Sequence, residues 1–241
     1  MKKRLLVLAF TMLAATACGT SSDNGSKTSK ADKTVTAATN DDKKTETQKN
    51  DDTKKEETKE SYKSAEDITM DDLNNHEETS ADDFEYGDGP DGSVVIDEYI
   101  GDDPIVVIPN EIDGKKVVDF GKTFMNDKDI VAVQIGDNVD EIADSAFTNC
   151  DNLKYIIFGK NVKKIKSGLL GGKKIEQIEF NEGLETLGSG SSGVGLMSEI
   201  DVKIPDSVTE MAFWGAKTMI VKSGSYAENF AKEHNMDYRV E

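Results

Sequence analysis

The chain has 241 residues, of which 36% are hydrophobic and 32% charged, and its formal net charge is −18. The excess of 47 acidic over 29 basic residues argues against nucleic acid as a partner, because phosphate backbones are bound by clusters of Lys and Arg. The same charge disfavours docking on anionic lipid by electrostatic attraction alone.

Residues 1–17 are predicted to be an export signal. Three basic residues near the start are followed by an apolar run that ends at Leu13 and is too short to span a bilayer. The small residues before Cys18 in "AATAC" resemble a bacterial lipobox, with Ala15 where that motif prefers Leu. The resemblance implies a lipoprotein in which Cys18 is acylated, for example with palmitate, and anchors the chain on the extracytoplasmic face of the cell membrane. The alternative is a conventional signal followed by a chance cysteine.

Residues 18–82 are predicted to be the lipidated cysteine and a disordered, charged tether. Lys, Asp and Glu alternate there with Thr, Ser and Asn, and neither a helical stripe nor strand alternation is visible. One stretch differs, because "SAEDITMDDL" contains Ile68, Met70 and Leu73. A transient helix or a docking peptide is therefore an alternative to linker at this stretch.

Residues 83–241 are rich in Val, Ile, Leu and Phe and are predicted to form the folded domain. Short apolar runs recur there, and equivalent positions are separated by 27, 23, 22 and 24 residues. These positions are Ile108, Ile135, Phe158, Phe180 and Ile204. Each run alternates like a half-buried strand and is followed by a turn with Gly, Pro, Asn or Asp. One copy cannot bury its own apolar face, so the period predicts a solenoid.

The repeat pattern "IxIPxxVxxIxxxAFxxCxxL" resembles the BspA-type leucine-rich repeat of bacterial surface proteins, and "VQIGDNVDEIADSAFTNCDNL" fits it closely. The resemblance implies a β-rich solenoid of about five repeats of ~23 residues, with short strands, irregular or short-helical returns and a C-terminal capping helix. Leu169 and Leu170 replace the Ala-Phe pair in the third copy, and the pair is lost in the fourth, so irregular returns are expected there.

A closing helix is predicted near the C-terminus. Ser225 and Glu228 have the spacing of a capping box, and Asn235 suits a left-handed stop. Tyr226 and Phe230 share one face of this helix, and this face is expected to seal the last repeat.

A glycine-rich stretch in the fourth copy contains G-x-G-x-x-G at Gly188, Gly190 and Gly193. Nucleotide binding would need a strand before these glycines, a helix of about three turns after them and a βαβ frame. Only a short segment follows before the next predicted strand, so an irregular return loop is expected. The acidic turn with Asp88 and Asp91 lacks the spacing of an EF-hand, and turn chemistry explains it, although calcium binding there stays open.

No catalytic residue, metal site or cofactor is predicted. The chain has two histidines, and neither a Ser/His/Asp set nor a paired-cysteine metal motif is visible. Cys150 is expected to be a packed thiol, and Trp214 is expected in the core near the cap.

The candidate binding surface is the outward side of the strands. Tyr155, Ile157, Gln177 and Glu179 are predicted to point out from it and to contact a partner. The alternative for Tyr155 and Ile157 is that they are ordinary strand formers at a bend or lie under a neighbouring segment.

The family resemblance implies a non-catalytic module of the cell surface, for adhesion or protein binding, and the partner would be a protein or another cell-surface ligand. The alternative is a structural or accessory protein of the envelope that binds the producer's own wall or secreted proteins.

Overall fold

The computed structural model describes residues 64–170, 175–190, 193–196 and 199–241. The predicted export signal, Cys18 and the tether up to residue 63 lie outside these residues.

The described chain contains many short strands and two α-helices. The helices are α1 (Met70–Asn75) and α2 (Tyr226–Glu233), and single 3₁₀ turns lie at Ala81–Asp83 and Pro90–Gly92. The strands are β1 (Phe84–Asp88), β2 (Val94–Tyr99), β3 (Ile105–Val107), β4 (Glu111–Ile112), β5 (Lys115–Asp119), β6 (Ala132–Gln134), β7 (Glu141–Ile142), β8 (Tyr155–Ile157), β9 (Lys164–Ile165), β10 (Gln177–Glu179), β11 (Thr186–Leu187), β12 (Val194–Gly195), β13 (Asp201–Lys203), β14 (Glu210–Met211), β15 (Phe213–Trp214), β16 (Thr218–Val221) and β17 (Tyr238–Val240).

These strands stack in parallel ladders, one rung per repeat. The first ladder has the order β3-β6-β8-β10, and β13, β16 and β17 form a further parallel group beside β10. The second ladder is β7-β9-β11-β14, and a third, short one pairs β12 with β15. The predicted β-solenoid is confirmed, with about six turns instead of the expected five.

Each repeat buries its apolar residues against the repeats before and after it. In the first ladder the buried row is Val106, Val133, Ile156 and Ile178, and in the second it is Ile142, Ile165, Leu187 and Met211. The returns of the early repeats add the aromatic side chains of Phe120, Phe124 and Phe147, and the rings of Phe124 and Phe147 stack with centroids 5.6 Å apart. This continuous column of apolar contacts holds the strands in register.

The side chains of the predicted turns also form hydrogen bonds from one repeat to the next. The Asn110 Oδ1 accepts from the backbone N–H of Asp137 at 2.7 Å, and the Asp137 Oδ1 accepts from that of Lys160 at 3.0 Å. In the next turn the Asn181 amide donates to the carbonyl of Lys160 at 3.0 Å. Turn residues with short polar side chains therefore link each repeat to its neighbour and satisfy backbone groups that the short strands leave unpaired.

The solenoid opens with two antiparallel pairs, β1 with β2 and β4 with β5. The β4–β5 hairpin turns through Asp113 and Gly114, which have φ angles of 53° and 72°. Two left-handed residues in a two-residue turn match the twist of the flanking strands, and Asp-Gly is favoured there.

Helix α2 closes the other end, and its capping differs in detail from the prediction. The Ser225 Oγ accepts from the N–H of Glu228 at 3.1 Å, but the Glu228 carboxylate accepts from Gly224 instead of Ser225. Asn235 has the expected left-handed φ of 53°. The face that seals the last repeat carries Ala227 and Ala231, and Tyr226 is exposed. Phe230 of the predicted face is partly buried and packs on the core beside these alanines, so the prediction is wrong for Tyr226 only.

The segment of residues 64–79 corrects the predicted tether, which extended to residue 82. Helix α1 lies against β3 and β6, and the side chains of Ile68, Met70 and Leu73 are buried. These residues pack on apolar side chains about 30 to 90 positions away, which stabilise a helix too short to persist alone. The docking-peptide alternative describes this segment.

Candidate functional site

The strand face consists of the outward side chains of β3, β6, β8, β10 and β13. Successive residues of a strand point to opposite sides, so the first and third residues of each strand lie on this face. They form two rows, Ile105, Ala132, Tyr155, Gln177 and Asp201 in one and Val107, Gln134, Ile157, Glu179 and Lys203 in the other. The parallel ladder thus presents side chains about 4.8 Å apart on a regular surface.

The first part of this face, here named the covered half, is apolar and lies under residues 64–76. It consists of Ile105, Val107, Ala132 and Tyr155, all buried. They form one cluster with Ile68, Met70 and Leu73 of the segment. Ala65 and the half-buried Ile157 pack at the edges of this cluster. The covered half is therefore a second apolar core, on the opposite side of the strands from the main one.

Helix α1 is shaped by a local capping motif. The Thr69 Oγ1 accepts from the backbone N–H of Asp72 at 3.3 Å, and the Asp72 carboxylate accepts from the N–H of Thr69 at 2.7 Å. Ile68 and Leu73 flank this box at the N′ and N4 positions of a hydrophobic staple. The motif orients both apolar side chains toward the strands.

The segment also closes the free edge of the first ladder. The backbone N–H of Thr79 donates to the carbonyl of Val107 at 2.9 Å, and the Thr79 Oγ1 accepts from the N–H of Val107 at 3.0 Å. Nearby, the Glu78 carboxylate accepts from the Asn110 amide at 2.8 Å, and His76 lies 3.4 Å from the Asp103 carboxylate. Because β3 is the edge strand, these contacts cover backbone groups that would otherwise face solvent.

Tyr155 ends the covered half with a polar contact. Its hydroxyl donates to Glu176 Oε2 at 2.7 Å, and the Lys154 ammonium lies 3.2 Å from Glu176 Oε1. Burial, together with the Glu176 carboxylate, raises the pKa of Tyr155 to about 12. The hydrogen bond from Tyr155 and the adjacent Lys154 lower the pKa of Glu176. The ring is apolar surface for the segment, and its hydroxyl marks the boundary with solvent.

The rest of the face, here named the exposed half, is polar. It consists of Gln177, Glu179, Asp201 and Lys203, all exposed. The Gln177 amide donates to the Glu179 carboxylate at 2.8 Å, and Lys203 lies 2.7 Å from the Glu241 carboxylate. Charges of both signs therefore lie within a few ångströms of one another on a flat, solvent-accessible surface.

The four residues predicted to bind a partner are thus divided between these environments. Gln177 and Glu179 point to solvent, whereas Tyr155 is buried and Ile157 is half-buried. The covering of Tyr155 corresponds to the alternative that a neighbouring segment lies on it. A partner role for the four residues stays a prediction.

The sequence does contain a signal for the docked segment, which the prediction did not use. "ITMDDL" places a Thr-x-x-Asp capping box between two staple positions. A helix start with an apolar residue on each side of the box indicates a partner surface for those residues. The location of that surface, on β3 to β8, could not be deduced from the motif.

Trp214 corrects another expectation. Phe213 is buried, but the Trp214 side chain is 49% exposed and borders a cavity of about 640 Å³ with Phe230 and His234. A Cβ at Gly195 would lie 2.2 Å from the Trp214 ring, so the indole lies directly on that glycine. Adjacent residues of a strand point to opposite sides, and only one of the Phe-Trp pair could enter the core.

The other sequence motifs take structural roles in the described residues. Gly188, Gly190 and Gly193 all have positive φ and lead into β12 without an intervening helix. Asp88 pairs with Lys115 at 2.7 Å. Cys150 is buried as expected, its thiol donates to the carbonyl of Phe124, and burial raises its pKa to about 12.

Neither a metal-ligand cluster nor a membrane-spanning helix occurs among the described residues. No group of three or more His, Cys, Asp or Glu side chains is arranged to hold a metal ion there. No helix in the same residues has the length and apolarity needed to cross a membrane.

The parallel ladders, the period near 23 residues and the buried apolar rows define a leucine-rich repeat solenoid. Residues 121–217 match the BspA type leucine rich repeat region in six copies, which confirms the predicted resemblance over this part of the chain. Proteins with such repeats are generally binding modules without enzymatic activity, and the repeats generally bind proteins.

Several solved structures are similar to the chain. A leucine rich repeat protein of T. pallidum has 29% identity, covers 60% of this chain and 71% of its own, and gives a TM-score of 0.49. A leucine-rich repeat protein from Bacteroides ovatus has 20% identity, with coverages of 68% and 52% and a TM-score of 0.45. A leucine rich cell surface protein from Faecalibacterium prausnitzii has 20% identity, with coverages of 59% and 54% and a TM-score of 0.36. No curated protein matches the sequence.

Proposed function

We propose that this protein is a non-catalytic module of the bacterial cell surface that binds a protein partner through the strand face of its repeats. The observation that carries the proposal is the exposed half of the face, where polar side chains of successive repeats stand in two regular rows. A solenoid presents such a surface without any dedicated binding loop, and repeat proteins use it for extended contacts.

The composition of the exposed half favours a protein as the partner. Gln177, Glu179, Asp201 and Lys203 offer donors, acceptors and both signs of charge, and the half-buried Ile157 adds an apolar contact at the edge. A polar surface with donors, acceptors and both charges beside an apolar contact has the groups that protein interfaces use. The net charge of −18 argues against nucleic acid.

We further propose that Cys18 carries the lipid anchor and places the repeats on the extracytoplasmic side of the membrane. The lipobox-like residues before Cys18 support this. The measurement is the partition of the full-length protein between membrane and soluble fractions, for the wild type and for Cys18→Ala. Release of the variant into the soluble fraction is expected, and equal membrane retention of both would refute the anchor.

The binding face is tested with a matched pair of charge reversals in the full-length chain. Glu179→Lys changes the exposed half, and Glu185→Lys changes an exposed glutamate next to β11, away from the strand face. Both proteins serve as bait, with cross-linking, against the producer's own envelope proteins and against foreign surface proteins. A partner that Glu179→Lys loses and Glu185→Lys retains is the expected result.

The source of that partner separates the two functions considered. A partner from foreign surfaces supports adhesion, whereas a partner from the producer's own wall or secreted proteins supports a structural or accessory role in the envelope. Partners retained equally by both variants, or turnover of a substrate by the purified protein, would contradict the proposed function.

A further inference from the structure

The covered half of the strand face binds residues 64–76 in the way that a groove binds a helical peptide. The contact uses one face of α1, with Ile68, Met70 and Leu73 inserted among apolar strand residues. Recognition of a short amphipathic helix by an apolar surface is a recurrent mode of peptide binding. Here the peptide belongs to the same chain.

The segment is held differently from the repeats. The inner strands β6 and β8 are each paired with a neighbouring repeat on both edges, and those repeats cover their inward side chains. Helix α1 has six residues, which is too short for independent stability, and depends on its contacts with the strands. Elements with few buried contacts open at a lower free energy than the core does. The segment can therefore leave the covered half while the solenoid stays folded.

The surface that it would uncover is apolar. Ile105, Val107 and Ala132 offer aliphatic contacts, and Tyr155 adds a ring with a polar tip at the boundary of the exposed half. Burial of such a patch, continuous with a polar surface, is typical of a protein interface. The chemistry of the present occupant specifies what fits: a helix start with a capping box and a staple pair of apolar residues.

We propose that the covered half is a receptor for a short N-capped amphipathic helix, that residues 64–76 occupy it in cis, and that a partner protein presenting such a helix binds there by displacing them. This inference rests on the proposed function, because it identifies the apolar part of the same interface and its ligand class.

The cis segment raises the affinity that a partner needs in order to bind the covered half. A segment joined to its own receptor by a few residues has an effective concentration on the order of millimolar, so a weak external helix does not displace it. Only a partner that binds more tightly, or that also contacts the exposed half, competes successfully. Competition from the cis segment therefore favours partners that contact both the covered and the exposed half.

The test uses the full-length protein and a synthetic peptide of residues 64–76 with blocked ends. In the double variant Ile68→Asp, Leu73→Asp, the cis segment loses its two staple residues and no longer fills the covered half. Binding of the peptide is followed by NMR, which detects affinities as weak as millimolar, through the amide signals of Val107, Ala132 and Tyr155. The peptide is expected to bind the double variant at least ~10-fold more tightly than the wild type.

Two controls isolate the contact. A peptide with Leu73→Asp is expected not to bind, and the double variant with Tyr155→Lys added is expected to bind the natural peptide weakly. The milder Leu73→Ala variant is measured in parallel, so that the comparison holds even if two added charges perturb folding.

Equal affinity of the wild type and the double variant for the peptide would overturn the proposal, as would no signal change in a folded variant. A dimer of the wild-type chain in which segments are exchanged would overturn the cis arrangement. The proposed function can be contradicted independently of this proposal. If the peptide binds as expected and Glu179→Lys still captures every partner, the covered half is a receptor but the exposed half is not the partner's contact.

Discussion

The covered half and the first part of the exposed half lie on one backbone ladder, β3-β6-β8-β10, with β13 beside it, and the two halves differ in the side chains that the repeats place there. At the N-terminal end the outward residues are aliphatic or aromatic apart from Gln134, and a segment of the same chain covers Ile105, Val107, Ala132 and Tyr155. From β10 onward they are polar and face solvent. A solenoid can therefore change the character of its surface along its length without changing its fold, because the inward rows alone hold the repeats together.

The covered half also differs from the inner core, although both bury aliphatic side chains almost completely. Ile156 and Leu73 both have no measurable exposure. Ile156 is enclosed by neighbouring repeats on either side, whereas Leu73 belongs to an element that can open by itself. Truncation of Ile156 and truncation of Leu73 should therefore affect stability differently, although both side chains are equally buried.

Ile156→Ala is expected to have the largest effect, with a loss of about 2–5 kcal/mol in the global free energy of unfolding. The substitution leaves a cavity between β6 and β10, where the adjacent repeats cannot collapse without losing register. Chemical denaturation of the full-length protein measures it, with Ile157→Ala on the outward side as the control. A loss from Ile156→Ala no larger than that from Ile157→Ala would contradict the assignment of the inner row.

Leu73→Ala removes as many buried atoms but is expected to act locally. The Val107 N–H donates to the Thr79 Oγ1. Hydrogen exchange at this amide should accelerate about 30-fold, which corresponds to a loss of about 2 kcal/mol in the free energy of opening. Exchange at the Ile156 N–H should stay unchanged, because the solenoid remains closed. Equal acceleration at both amides would show that the segment and the repeats open as one unit.

Alkaline pH is expected to weaken the docking of the segment. The pKa of Tyr155 is raised from 10.0 to about 12, so its contribution to stability is complete below pH 10 and is lost as the pH rises through about 12. Ionisation places a phenolate beside Glu176 and under apolar side chains, which favours the open segment. The methyl NMR signals of Ile68 and Leu73 report the release.

Tyr155→Phe is the control for this pH dependence. The buried Cys150 and the half-buried Tyr99 also have raised pKa values, so the whole domain loses stability in alkali. The part that belongs to Tyr155 is the difference between the wild type and the variant, whose segment should stay docked to higher pH. Release over the same pH range in both proteins would assign the effect to the core.

The contrast between core and surface explains how much the sequence could predict. The inner rows repeat at a fixed spacing, and the second copy alone carries enough of the pattern to indicate the solenoid and the buried Cys150. The docked segment has no repeat and only three apolar residues, so its helix is visible in the capping box of Thr69 and Asp72, while its receptor depends on contacts distant in sequence. The packing of one short element on residues distant in sequence produces no periodic pattern in the amino-acid sequence.

The same reasoning applies to Trp214 and to the closing helix. Hydrophobicity alone placed Trp214 in the core, but strand alternation next to the buried Phe213 places it outside. In α2 the predicted seal was Tyr226 and Phe230, but Ala227 and Ala231 are the fully buried residues, Phe230 packs beside them and Tyr226 is exposed. Close approach of the backbone favours small residues, which composition does not reveal.

Glu179→Lys should change the free energy of unfolding least, by less than about 0.5 kcal/mol, because the Glu179 side chain is exposed and its hydrogen bond from Gln177 lies at the surface. Tyr155→Lys, one repeat earlier on the same face, should release the segment and expose the covered half, because it replaces the ring in the apolar cluster of Ile68 and Leu73 with a charged side chain. Thermal unfolding and exchange at the Val107 N–H distinguish the two variants. If Glu179→Lys destabilised the protein as much as Tyr155→Lys, the exposed half would also have a structural role. If Glu179→Lys leaves the free energy of unfolding unchanged, Glu179 is not needed for folding. A loss of partner capture in that variant then reports on binding alone.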